Sequence, residues 1–118
     1  MGGGPSNKVR GGTISSFESQ NAWLSGIVYL HAEAQISHLQ LGPGGLLGLH
    51  PAATPQLFVV VGSSGWVSGE ASGRAPITPG QVAFWEKGER HASGTDTGLA
   101  AIIIESERLD PTEFLPLE

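Results

Sequence analysis

Four histidines, His31, His38, His50 and His91, are the residues best equipped for chemistry in this sequence. Neutral imidazole is the commonest metal ligand and a general base poised near neutral pH. No two of them stand at H-x-H or H-x-x-x-H spacing, so a metal or acid–base centre would need imidazoles delivered by separate elements. The plainer alternative for each is a histidine hydrogen-bonded in a wall or at a rim. With no cysteine in the chain, thiol nucleophiles, thiolate metal sites and disulfides are excluded. Serines are plentiful, yet no G-x-S-x-G elbow occurs. The glycines at 42–45 lack the lysine and the following helix of a phosphate loop and read as a turn. Eleven acidic residues against six scattered basic ones, a net charge of -5, disfavour nucleic acid, whose phosphates require clustered Lys and Arg.

The elements that must position these side chains are short. Eighteen glycines and eight prolines in 118 residues resist long helices, and the length suits one domain. Hydrophobic residues make up 39% and charged residues 14%, well under the roughly 25% charge of an average soluble domain, so disorder is disfavoured. Residues 1–12 read as a flexible segment and 13–118 as a single domain. From Ala32 the chain alternates, with Ala32, Ala34, Ile36, His38 and Gln40 on one face and Glu33, Gln35, Ser37, Leu39 and Leu41 on the other. Further strands are expected at 46–50, 56–61, 65–68, 74–77, 81–85 and 99–105, with a hairpin tip at Ser72-Gly73 and a tight corner at Pro79-Gly80. Many short strands with Gly/Pro punctuation indicate an all-β sandwich or barrel. Phe114, Leu115 and Leu117 in the proline-broken tail are expected to pack as a cover.

Residues 56–61 and 99–104 are apolar on both faces, whereas a strand with one wet face should alternate. The second face must be covered by another sheet, by the lead-in at 13–31, or by another subunit, and a homodimer is the expectation. Neither run approaches the roughly 18 apolar residues of a membrane span. The basic start MGGGPSNKVRGG is followed by no apolar stretch, so it does not read as a secretory signal. A cytoplasmic location is expected by default.

The stretches 44–65, GGLLGLHPAATPQLFVVVGSSG, and 80–95, GQVAFWEKGERHASGT, together resemble the two motifs of the cupin superfamily. In the first, Gly44, five residues and His50 match, while Ala52 stands at the second histidine position and Gln56 at the glutamate position; Gly62 and Gly65 bracket the place of the closing glycine. In the second, Gly80, Gly88 and His91 fall at the family's spacing, while Glu86 replaces a proline and Thr95 an asparagine.

The resemblance implies a cupin jelly-roll (double-stranded β-helix) barrel of the small, single-domain, RmlC-like kind, with any active centre in the lumen. Its metal-holding positions fall here on His50, Gln56 and His91, which would hold one divalent transition metal, Zn, Fe, Mn or Ni. Three readings stand side by side: a His-Gln-His site completed by water; a site in which His38 restores a third imidazole; or a metal-free pocket where His50, Gln56 and His91 hydrogen-bond a small polar ligand. Phe58 shares a strand face with Gln56, and either Trp85 or Phe84 points inward, so Phe58 and Trp85 are candidate ligand-lining residues. Glu86 reads as a solvated turn residue paired with Lys87 or Arg90, and Trp66 as packing. The expected function is lumenal binding of a small polar molecule. The alternatives are a metal-dependent isomerase, lyase or dioxygenase, and a non-catalytic binding or structural homodimer.

Overall fold

The computed structural model of the chain describes residues 5–8, 10–14, 18, 20, 22–28, 30–70 and 72–110. Among them are eleven β-strands and no α-helix: β1 (Pro5–Lys8), β2 (Arg10–Ile14), β3 (Ala22–Gly26), β4 (Gln35–Leu41), β5 (Leu46–Pro51), β6 (Gln56–Ser63), β7 (Gly65–Gly69), β8 (Ser72–Ile77), β9 (Gln81–Trp85), β10 (Arg90–Gly94) and β11 (Leu99–Glu105). A five-stranded sheet runs β1-β9-β6-β11-β4, a four-stranded sheet β5-β10-β7-β8, and β2 pairs with β3 alone. Every pairing is antiparallel.

All six strands expected at 46–105 are present, and the alternating one, expected from Ala32, begins three residues later at Gln35. Three further features differ. Residues 90–94 form a strand although Arg-His-Ala-Ser-Gly offers little apolar alternation; its ladders to β5 and β7 on both sides supply what its own sequence does not. The β7–β8 hairpin closes at the Gly69↔Ser72 pair, so its tip lies two residues earlier than Ser72-Gly73. In and just beyond the segment 1–12, Pro5–Lys8 pairs with the edge of β9 and Arg10–Ile14 with β3, edges whose unpaired amides accept a further strand. Phe114, Leu115 and Leu117 lie outside the described residues.

Period-two alternation sorts the five-stranded sheet into two faces. Its inner face contributes Phe58, Val60, Ala83, Trp85, Leu99 and Ala101 to the lumen, where they meet Val67 and Ile77 of the four-stranded sheet and Ala52. Its outer face carries Leu57, Val59, Val82, Phe84 and Ile104, covered by Leu109 and by Ile27, Val28 and Leu30 of the lead-in. Both faces of β6 and much of β11 are thus buried, and a good part of the outer cover comes from the same chain. Within the four-stranded sheet, β7 and β10 come close at Gly65: a Cβ there would run into the Gly94 carbonyl.

Candidate functional site

The two motif histidines become neighbours because β5 and β10 are adjacent strands and His50 pairs directly with His91. Between this pair and Ser93↔Leu47 the register slips by one residue, a bulge that re-aims side chains. The loops at this end lock the pair further. Gly88, at a φ of 84° that a side chain rarely tolerates, allows the 86–89 turn in which the Glu89 N–H donates to the Glu86 carbonyl at 3.0 Å. The Glu86 N–H donates to Glu89 Oε1 at 3.0 Å. That turn is bonded to the residue where the first motif departs from the family pattern: Gly88 N–H donates to Ala52 O at 2.8 Å and Ala52 N–H to Glu89 O at 2.9 Å.

Four rings then line up through the lumen. His50 and His91 lie 4.3 Å apart, tilted at 55°; His91 stacks on Trp85 at 4.2 Å and 19°; Trp85 meets Phe58 edge-on at 5.6 Å. Each imidazole has Nδ1 against a backbone carbonyl two residues back, Gly48 O at 2.6 Å for His50 and Glu89 O at 3.2 Å for His91. A carbonyl only accepts, so Nδ1 carries the proton in both rings, and both Nε2 atoms are left with a lone pair. His91 is 2% exposed, and burial lowers its pKa below the ordinary 6.5; the Glu89 carbonyl offsets part of that, and the nearby His50 adds to the lowering. Three buried polar atoms here have no hydrogen-bond partner: His91 Nε2, Trp85 Nε1 and Ser93 Oγ.

Gln56 is buried on the same inner face, and its Nε2 donates to Glu105 Oε2 at 3.4 Å. The partner arises from register. Gln35 of β4 faces Glu105 of β11, Glu105 faces Gln56 of β6, and Gln56 faces Trp85 of β9, so one row across the sheet runs Gln35, Glu105, Gln56, Trp85 and continues through the stack to His91 and His50. Glu105 and Ser93 are site residues that the reading of the sequence passed over. The signal for Glu105 was its parity with Leu99, Ala101 and Ile103 at the end of an apolar strand; for Ser93, its place two residues beyond His91.

The structure therefore brings together His50, Gln56, Phe58, Trp85 and His91. It separates His38, which pairs with Ile102 on the outer face of the sheet and is exposed; its strand alternates Leu39 and Leu41 inward, so His38 cannot restore a third imidazole. His31 lines a cleft of about 790 Å³ beyond the outer face with Phe84, Leu109, Lys87 and Glu107. There Lys87 pairs with Glu107 at 3.2 Å rather than with Glu86. Trp66 faces outward, its ring against Gly94 and under the Arg74 guanidinium at 3.8 Å.

The donor set fits a resident metal poorly. Ala52 brings no donor, Gln56 brings a neutral amide tied to Glu105, and among the described residues no three His, Asp or Glu side chains converge as metal ligands. Catalytic zinc sites use three protein ligands besides water.

No protein-family model matches the chain, and no curated protein matches it by sequence. Solved structures do. A cupin superfamily protein from Desulfitobacterium hafniense aligns with a TM-score of 0.58 at 12% identity, over 68% of this chain and 72% of that one. An RmlC-like cupin from Shewanella frigidimarina gives 0.60 at 17%, over 73% and 77%, and a DMSP lyase from Ruegeria pomeroyi 0.60 at 17%, over 65% of this chain and 40% of the lyase. The chain thus covers well under half of that enzyme's length. At these identities the likeness is one of fold: the chain is an all-β protein with the cupin jelly-roll fold. No helix is long and apolar enough to cross a membrane among the described residues.

Proposed function

We propose that the lumen lined by His50, His91, Trp85 and Gln56 binds a small polar molecule directly through these side chains. The observation that carries this reading is the trio of orphaned atoms, His91 Nε2, Trp85 Nε1 and Ser93 Oγ, all buried. Leaving a buried polar atom unpaired costs about 1–3 kcal/mol; two of these atoms belong to the stacked His91 and Trp85 rings beside a half-buried His50, and Ser93 follows His91 by two residues on β10, so a guest there would supply missing partners. The test is a small-molecule screen read by the Trp85 indole N–H signal in NMR and by the melting temperature. A ligand that moves both supports the reading; a broad screen of polyols, amines, acids and phenols that moves neither overturns it.

A second reading, a divalent metal held by His50, His91 and Gln56, is favoured by one observation. Both Nε2 lone pairs are freed by Nδ1 contacts to backbone carbonyls, the arrangement metal-bound imidazoles usually have. Against it stands the missing third donor. Metal analysis by mass spectrometry of protein purified without chelators separates the two: stoichiometric zinc, iron, manganese or nickel supports this reading, and only traces with no uptake on addition reject it.

The same chain is proposed to pair as a homodimer. Support comes from large apolar side chains left in the open on the outer face and on the β5 edge, Ile36 at 68%, Leu46 at 62%, Leu49 at 57% and Val61 at 53% exposure.

A further inference from the structure

The four outer edges of the two larger sheets are not alike. β1, at one end of the five-stranded sheet, is only four residues long, contains Pro5 and Lys8, and shifts register against β9 between Pro5 and Asn7. β8, at one end of the four-stranded sheet, carries Arg74 and Pro76 and shifts register against β7. β5, at the other end, carries the bulge opposite His91 and Ser93 and finishes on Pro51. Proline, charge, bulges and shortness are the devices that keep an edge from pairing with another chain. β4 has none of them. Its seven residues include no proline and no Asp, Glu, Lys or Arg. They pair with β11 from Gln35↔Glu105 to Leu41↔Leu99 without a shift, and among the described residues no strand lies on the other side. Alternate residues of such a strand turn their N–H and C=O away from the sheet, with no ladder to enter. Apolar surface gathers at the same side of the molecule. Of the large apolar side chains most open to solvent, Ile36 stands on β4, and Leu46 and Leu49 on β5, the strand that follows it across the turn at 42–45.

Resting on the homodimer proposed above, we infer that its interface is the β4 edge: two copies of β4 pair antiparallel about a two-fold axis and join two five-stranded sheets into one. Opposite residues of an antiparallel pair share a face, so only registers that set odd-numbered residues against odd and even against even keep the outer face outside. The register centred on His38 is the one of these that uses all seven residues. It sets Gln35 opposite Leu41, Ile36 opposite Gln40, Ser37 opposite Leu39, and His38, exposed and outside the lumen, opposite its own copy. With no carboxylate, ammonium or guanidinium in the strand, no such charges are brought face to face. Because the other three edges are guarded, each chain offers one open edge of these sheets. A two-fold contact occupies both, and assembly closes at two copies instead of running on into a filament.

The chain has no cysteine, so single introduced thiols can read the contact. His38→Cys, Gln40→Cys and Leu49→Cys, each in the full chain, are oxidised side by side at about pH 8, where thiolate is available. Non-reducing electrophoresis follows the linked dimer, and sedimentation gives the mass of the unaltered chain. At position 38 the two Cβ atoms face each other at about 5 Å, close to the span of a disulfide. Two copies of residue 40 stand four residues apart along the paired strands, about 13 Å. His38→Cys is expected to link about tenfold faster than either of the others, because only there do the thiols meet. Ile36→Cys combined with Gln40→Cys in one chain should link as fast as His38→Cys, since each thiol then faces the other residue's copy. Position 40 or 49 linking faster than 38 overturns the inference. A chain that sediments at twice its mass while none of the thiols links also overturns it, and leaves the homodimer standing on another surface. An unaltered chain that sediments as a monomer overturns both. Should His38→Cys misfold, the paired Ile36→Cys and Gln40→Cys chain decides in its place, linking fast if the register is right and no faster than Gln40→Cys alone if it is wrong.

Discussion

His91 concentrates the tension in this protein. Its ring is almost wholly buried, stacked on Trp85 and faced by a second imidazole, an environment that opposes a positive charge. Its pKa therefore lies below 6.5 in the folded chain and near 6.5 when unfolded. Below about pH 6.5 the unfolded state binds the extra proton first, so stability is fully present above that pH. It falls as the pH drops toward the folded-state value, and levels off once both states are protonated. Denaturant unfolding between about pH 8 and pH 5 should show this fall, and His91→Gln, which keeps a polar side chain that does not titrate, should flatten that part of the profile. An identical slope in wild type and variant would place the acid sensitivity elsewhere. The residue types at this scale were legible in the sequence, where His50, Gln56, Phe58, Trp85 and His91 stood out. Their protonation was not, because it depends on carbonyls two residues back and on a neighbour on another strand.

Elements decide what these residues meet. Glu105 reaches Gln56 only because β6 and β11 keep one register from Ala101 to Glu105, past the shift between Ala100 and Ala101, and a slip of one residue there would turn Glu105 outward. Thr95 shows how such registers are held. It stands where the cupin pattern has asparagine, is 4% exposed, and its hydroxyl serves three strands' ends. Its single proton lies between two carbonyls, Ser64 O at 2.7 Å and Gly98 O at 2.8 Å, and its oxygen accepts the Gly98 N–H at 2.9 Å. Thr95→Val keeps the shape and removes every one of these bonds. Backbone groups left unpaired beside the buried Thr95, in a turn that is only part-buried, cost about 1 kcal/mol, and chemical denaturation should record a loss of that size, with less protection from hydrogen exchange at residues 94–99. A loss below about 0.5 kcal/mol would mean water replaces the hydroxyl there. Strand positions were readable from alternation and Gly/Pro punctuation, as at Gly80, whose φ of 89° and the Gln81 N–H bond to Thr78 O confirm the corner. The strand 90–94 was not, since its pattern is overruled by the ladders on either side.

At the scale of the whole molecule, the doubly apolar strands β6 and β11 demanded two covers. The lumen provides one, and Leu109 with Ile27, Val28 and Leu30 provides much of the other, which lessens the surface a second subunit must cover. Ile36 beside Ile104 and Leu49 on the β5 edge remain open. If a second copy covers them, sedimentation should give twice the chain mass of 12.2 kDa, and Ile36→Glu together with Leu49→Glu should return the monomer without loss of fold; a monomeric wild type rejects the homodimer. The all-β class and the barrel corners were properties of the sequence itself, because pleat periodicity and turn chemistry are local; that Trp85 rather than Phe84 points inward was not. Only the tertiary structure decided that His38 faces outward, that Glu105 joins Gln56 and that His91 rests between His50 and Trp85. Those contacts link positions as far apart as 49 residues, and which strand lies beside which is settled by packing two sheets around one core rather than by any local pattern.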